Sequence, residues 1–233
     1  MKKEYSLSEI GLFEASITDY SFVYAEDIPL MLNERDTFVH KGNMGRARIF
    51  AGSYGMMGAA IICNKACINY GVGLLTAIVP KCGYNIIQTS VPEAMCITST
   101  ADKHIIWNEQ MYSNQTNAIA IGPGIGRLPE TEHLVKEVLK SYSGKSIVID
   151  ADGLFHLSSL LKQGFKLPEN CILTPHEAEF DRLTHQHNNR TERIETAINF
   201  AVKHNTTIVL KGAFSAIITT NGTVVFNTTG NPG

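Results

Sequence analysis

Short apolar runs that stop at a glycine or a polar turn recur along this chain, and that recurrence limits what it can fold into. Phe50-Ala51 leads into Gly52-Ser53-Tyr54-Gly55, and Ile119-Ala120-Ile121 into Gly122-Pro123-Gly124-Ile125-Gly126. Ile147-Val148-Ile149 precedes Asp150-Ala151-Asp152-Gly153, Ile172-Leu173 precedes Thr174-Pro175-His176-Glu177, and Val209-Leu210 precedes Lys211-Gly212. Amphipathic stretches separate the runs. The pattern predicts an α/β fold, doubly wound, with a mostly parallel central sheet and helices on both faces. Such sheets bind ligands just beyond the carboxyl ends of their strands, so these loops are expected to line one cleft.

The predicted strands are 48–51, 74–79, 118–121, 146–149, 171–173 and 207–210, and the predicted helices are 57–70, 130–141, 177–184 and 191–204. In the last helix Ile194, Ala197, Ile198, Ala201 and Val202 recur at helical spacing. Segments 214–219 and 223–226 flank Asn221-Gly222, which predicts a hairpin closed by a type I′ turn. Residues 1–37 are polar and weakly periodic and read as a connector, whereas 38–233 form the α/β domain.

Composition narrows the function classes. With 44% hydrophobic residues, 18% charged residues and a net charge of -2, the chain lacks the signature of disorder. Acidic residues outnumber basic ones, 22 to 20, which argues against a basic nucleic-acid surface. No apolar run approaches the roughly 18 residues of a membrane span, and the N-terminus lacks the apolar core of a signal peptide. A soluble cytoplasmic protein is expected. The five scattered cysteines, Cys63, Cys67, Cys82, Cys96 and Cys171, read as small buried thiols in a reducing compartment.

Several strand-end residues could carry chemistry. The Gly122–Gly126 turn can either hold an anion on its backbone N–H groups or serve as a tight turn needing positive φ. Its GxGxG spacing is neither the dinucleotide GxGxxG nor the P-loop pattern. Small residues in Gly52–Ala60 allow a ligand or another helix to approach closely, and His40-Lys41-Gly42 could bring positive charge towards phosphate. Of Asp150 and Asp152, one is expected to cap the following helix and the other to face a ligand; a carboxylate pair can also hold Mg²⁺ through water. His176 stands at a helix start in the expected cleft, and Lys211 can offset phosphate charge. His185 and His187 lie in the polar stretch 184–190 and are read as solvated, with no metal site.

Taken together and in order, these loops resemble the ribokinase-like superfamily, and within it the carbohydrate-kinase-like NAD(P)H-hydrate dehydratase family. The matching segments are His40-Lys41-Gly42-Asn43-Met44-Gly45, Ala51–Ala60, Gly71–Thr76, Pro92-Glu93-Ala94-Met95, Gly122–Gly126, Asp150–Leu154, Leu173–His176 with Glu179-Phe180, Lys211-Gly212 and Thr229–Gly233. The resemblance implies nicotinamide nucleotide repair: dehydration of (6S)-NADHX or NADPHX to NADH or NADPH, coupled to hydrolysis of ADP or ATP with Mg²⁺. In the implied chemistry the ring hydroxyl is phosphorylated and then eliminated, so positioning and charge stabilisation dominate. Carried over by position, Ala59, Gly126 and His176 would contact the hydrated dinucleotide. Lys211, Gly212, Ala213, Phe214 and Ser215 would contact the adenine nucleotide.

The family's glycine-rich anion hole and catalytic aspartate follow the segment matching Thr229–Gly233, so the catalytic base is expected beyond Gly233, the domain is expected to be C-terminally incomplete, and no metal ligand is assigned. Ile10-Gly11-Leu12-Phe13 and the following linker resemble the tail of an epimerase domain, as in bifunctional members. A homo-oligomer, as in tetrameric members, is also expected. Two alternatives stay open: a superfamily kinase acting on a sugar or vitamin-precursor alcohol, and a domain that only binds nucleotide.

Overall fold

The structure is a computed structural model that describes residues 20–32 and 37–227. Ile10–Phe13 and Thr229–Gly233, which carry two of the resemblances above, lie outside the described residues. In chain order the strands are β1 (Tyr20–Val23), β2 (Arg46–Phe50), β3 (Leu74–Val79), β4 (Met95–Thr98), β5 (Ala118–Ile121), β6 (Ser146–Ile149), β7 (Cys171–Leu173), β8 (Thr207–Leu210), β9 (Ala216–Ile218) and β10 (Val224–Asn227). The α-helices are α1 (Ile28–Met31), α2 (Met57–Asn69), α3 (Tyr84–Ser90), α4 (Pro129–Ser141), α5 (Asp152–Lys162), α6 (Glu177–Leu183) and α7 (Arg190–His204).

The chain divides into two compact units, Asp36–Cys171 and Met1–Arg35 with Ile172–Gly233. In the first, strands run in the order β6-β5-β2-β3-β4, all parallel. Pleat alternation splits their apolar residues between two faces. Ala47, Ile49, Leu75, Ala77 and Val79 meet Met57 and Ala60 of α2 and Ile87 of α3 on one face. On the other, Phe50 packs against Trp107 and against Tyr142, the residue that ends α4. Helix α4 fits the rule of one apolar stripe: Leu134, Val135, Val138 and Leu139 are buried at three- and four-residue spacing.

In the second unit the order is β1-β10-β9-β8-β7. The β7–β8 and β1–β10 pairs are parallel, while β9 is antiparallel to both its neighbours. Helix α7 starts where the Asn189 side chain accepts the Glu192 N–H and stops at Asn205, which adopts the left-handed conformation with φ 47°. Its buried stripe is Ile194, Ala197, Phe200 and Ala201. Val202 is exposed instead of buried, and it sits with Ile198 beneath the Gly222 backbone.

The β9–β10 turn departs from type I′. Only Gly222 has positive φ, at 86°, and its N–H donates to the Thr219 carbonyl, while Thr219 N–H donates to the Thr223 carbonyl. That is a type I turn completed by a left-handed glycine, which needs one positive φ instead of two. Tyr20–Val23, within the stretch read as a connector, forms β1, and its Phe22 ring lies 5.8 Å from that of Phe226.

Candidate functional site

In the Asp36–Cys171 unit the loops after β2, β5 and β6 are bound to one another. Gly52 N–H donates to the Pro123 carbonyl at 2.9 Å, Gly122 N–H to the Phe50 carbonyl at 3.2 Å, and Asp150 N–H to the Ile121 carbonyl at 3.1 Å. A Cβ on Gly122 would stand 1.8 Å from the Asp150 carbonyl oxygen, so glycine at φ 131° is what lets these strand ends converge. Ala59, in the first turn of α2, faces the same loop: its Cβ lies 3.0 Å from where a Gly124 Cβ would be. Gly126 closes the loop beside Ser53. Ala59 and Gly126, both expected to touch the dinucleotide, therefore share one rim.

The two readings of the glycine turn resolve towards the tight turn. Gly122, Gly124 and Gly126 all have positive φ, and the N–H groups of Gly122, Ile125 and Gly126 are taken by Phe50, Gly122 and Asp152. Neither aspartate caps α5. The cap position is Ala151, which makes no side-chain cap bond; Asp150 Oδ1 accepts the Ala151 N–H, and the Asp150 carbonyl accepts the Gly153 N–H. Asp152 turns away from solvent and binds Gly126 N–H and Arg127 Nε, at 3.1 and 3.0 Å. Each Asp152 oxygen thus accepts one hydrogen bond from the protein. No group of three acidic, histidine or cysteine side chains able to hold a metal occurs among the described residues.

Lys41 does not join this rim. Its carbonyl abuts Gly73, just before β3, which puts it at the amino ends of the parallel strands, opposite Gly52 and Gly122. Concavities also open there. One of about 280 Å³ is lined by Arg46, Arg48 and Thr76, and another of about 590 Å³ by Leu139, Lys140 and Phe165. Neither contains a residue matched to the site, so size alone would misplace it.

In the other unit, His176 and the 211–215 segment meet at the carboxyl ends of β7 and β8, where Lys211 N–H donates to the Pro175 carbonyl at 2.8 Å. His176 caps α6: its Nδ1 accepts the N–H groups of Ala178 and Glu179, and Glu179 Oε2 accepts the His176 N–H at 2.9 Å. With Nδ1 accepting, a neutral ring carries its proton on Nε2, which lies 3.5 Å from Glu179 Oε1 on a ring that is otherwise exposed. Lys211, Gly212 and Ala213 are exposed, while Phe214 and Ser215 are half-buried. Ser215 Oγ donates to the Gly212 carbonyl at 3.3 Å, and Ser215 carbonyl accepts the Asn227 N–H.

Sequence reasoning missed Arg190, whose guanidinium donates to the Phe214 carbonyl and lies over the Phe226 ring. Nothing in its neighbourhood, Asn188-Asn189-Arg190, signals that long-range contact. His187 is a further correction. Its side chain is fully buried, and Nδ1 lies 2.7 Å from Asp181 Oδ1, which also accepts from Arg193 Nε at 3.0 Å. Stacking on Phe180 takes the ring out of solvent; His185 is exposed as expected.

Residues 47–233 match the family described as NAD(P)H-hydrate dehydratase. A bifunctional NAD(P)H-hydrate repair enzyme of Thermofilum pendens is 32% identical over 219 residues, which cover 89% of this chain and 41% of the relative. The chain thus spans about two fifths of the length of that relative. Among solved structures, a ribokinase-like superfamily protein of Enterococcus faecalis superposes with a TM-score of 0.80 and 27% identity, covering 95% of this chain and 76% of that one. An ADP/ATP-dependent NAD(P)H-hydrate dehydratase of Bacillus subtilis, co-crystallised with ATP and Mg²⁺, gives a TM-score of 0.75 at 28% identity, covering 93% and 75%.

Proposed function

The chain belongs to the NAD(P)H-hydrate dehydratase family, and from that premise we propose that it repairs nicotinamide nucleotides, dehydrating (6S)-NADHX or NADPHX with hydrolysis of ADP or ATP. The observation that carries the proposal is the continuous family match from the start of β2 onward, over the same strand ends that gather Ala59 with Gly126 and His176 with Lys211.

Each matched residue then has a physical task. Ala59 and Gly126 present small surfaces to which the dinucleotide can come close. His176, with Nδ1 committed to its helix, keeps Nε2 as its donor on an exposed ring, beside Glu179 Oε1 at 3.5 Å. Lys211 supplies positive charge for a nucleotide phosphate, and the Gly212–Ser215 backbone, braced by Arg190, shapes the adenine-nucleotide contact. Mg²⁺ would share the phosphate charge, held mainly by the nucleotide's own phosphate oxygens. A cytoplasmic homo-oligomer is part of the same proposal; five scattered cysteines fit a reducing compartment.

The test is turnover: NADHX or NADPHX is mixed with protein, Mg²⁺ and ADP or ATP, and absorbance of the reduced nicotinamide is followed. Recovery of NADH or NADPH with either nucleotide supports the proposal; a phosphorylated product that accumulates without elimination rejects it in favour of a kinase.

A further inference from the structure

Helix α5 carries Asp152 and His156 four residues apart, so both side chains leave the same helix face. They close on a single residue. Asp152 Oδ2 accepts the Gly126 N–H at 3.1 Å, and His156 Nε2 lies 2.9 Å from the Gly126 carbonyl oxygen. A carbonyl oxygen only accepts, so Nε2 bears the proton and donates. The peptide groups on both sides of Gly126 are therefore held, at φ 85°, by one turn of one helix.

The cost of this arrangement is visible in His156. It is 2% exposed, and its Nδ1 is buried without a hydrogen-bond partner. An apolar side chain would fill the same space without stranding a polar atom. What the imidazole adds is its bond to Gly126. Asp152 is itself steadied by Arg127 Nε at 3.0 Å, and the Arg127 guanidinium lies over the Phe155 ring, 4.7 Å from its centroid.

We infer that Asp152 and His156 are positioning residues that hold the Gly126 backbone in place for the hydrated dinucleotide, an inference that rests on reading Gly126 as a dinucleotide contact. Because the Gly126 N–H is already committed to Asp152, the dinucleotide meets this residue through close approach to its backbone, not through that donor.

Titration calorimetry of the full chain with NADPHX, and separately with ADP, tests the assignment. Asp152→Ala and His156→Leu should each weaken NADPHX binding about tenfold. ADP binding should stay within about twofold, because residues 211–215 belong to the other compact unit. Asp152→Asn keeps an acceptor and His156→Gln a donor, so both should recover most of the affinity. Unaltered NADPHX affinity in Asp152→Ala and His156→Leu overturns the inference.

Amide exchange guards against variants that fold poorly. Faster exchange at Gly126 in Asp152→Ala than in the wild type and Asp152→Asn, against unchanged core amides, supports the clamp, and unchanged exchange at Gly126 in Asp152→Ala rejects it. If the wild-type protein binds no NADPHX, the dehydratase reading falls and the positioning role with it. Wild-type binding with unaltered variants removes the positioning role alone.

Discussion

At Gly122 a methyl group would have to share space with the Asp150 carbonyl oxygen, 1.8 Å away, on a backbone at φ 131°. Gly122→Ala should therefore lose on the order of 3 kcal/mol or more. The same substitution at Gly58, on the exposed side of α2 with nothing within 4 Å, should gain about 0.5–1 kcal/mol. Urea midpoints at equal m-values would check the opposite signs. Asp181 offers a second residue-level test. Burial alone would raise its carboxyl, but hydrogen bonds from Arg193 and His187 outweigh burial and hold it below the ordinary aspartate value. The unfolded chain then takes up the proton first on acidification. The resulting stabilisation is present above the unfolded pKa of about 4 and is lost as pH falls through the lower folded value. Unfolding measured from pH 6 to pH 3 should show that loss in the wild type and a shallower dependence in Asp181→Asn. The strand-end glycines were legible in the sequence because backbone geometry leaves few alternatives there. The grips of His156, Arg190 and His187 were not, since each depends on a partner that only folding brings near.

Among the elements, β3, β5, β6, β7 and β8 match the bounds expected from sequence, because each is a short, mostly apolar run closed by a turn. The missed strands β1 and β4 stand at the ends of their units' strand orders, with part-exposed residues that give no clean alternation. The helix expected after Asp150-Ala151-Asp152-Gly153 is α5, but its cap position, Ala151, makes no side-chain cap bond. Two tests belong at this scale. Glu179→Ala removes the acceptor of the His176 N–H and half of the capping box of α6, and should cost about 1 kcal/mol in thermal or urea unfolding. Deleting residues 1–23 strips β1 from β10 and Phe22 from Phe226, leaving a sheet edge unpaired. The truncated protein should melt roughly 5 °C lower and scatter more light on heating.

For the molecule as a whole, sequence order alone carried the fold class and the family, since five strand ends in succession bear the expected residue types. Which of those residues share a rim was legible only in part: Ala59 faces the loop that ends at Gly126, His176 lies beside the Lys211 segment in the other unit, and Lys41 falls at the opposite strand ends. The two units also differ in how the chain composes them. Residues 36–171 are contiguous, and every strand pairs within that stretch, whereas β1 must find β10 roughly two hundred residues later. A nascent chain leaving the ribosome can thus complete the contiguous unit early. Strand β1 must wait for β10 until roughly two hundred further residues have been made, so assembly of the second unit is set by the order of translation as much as by its own contacts.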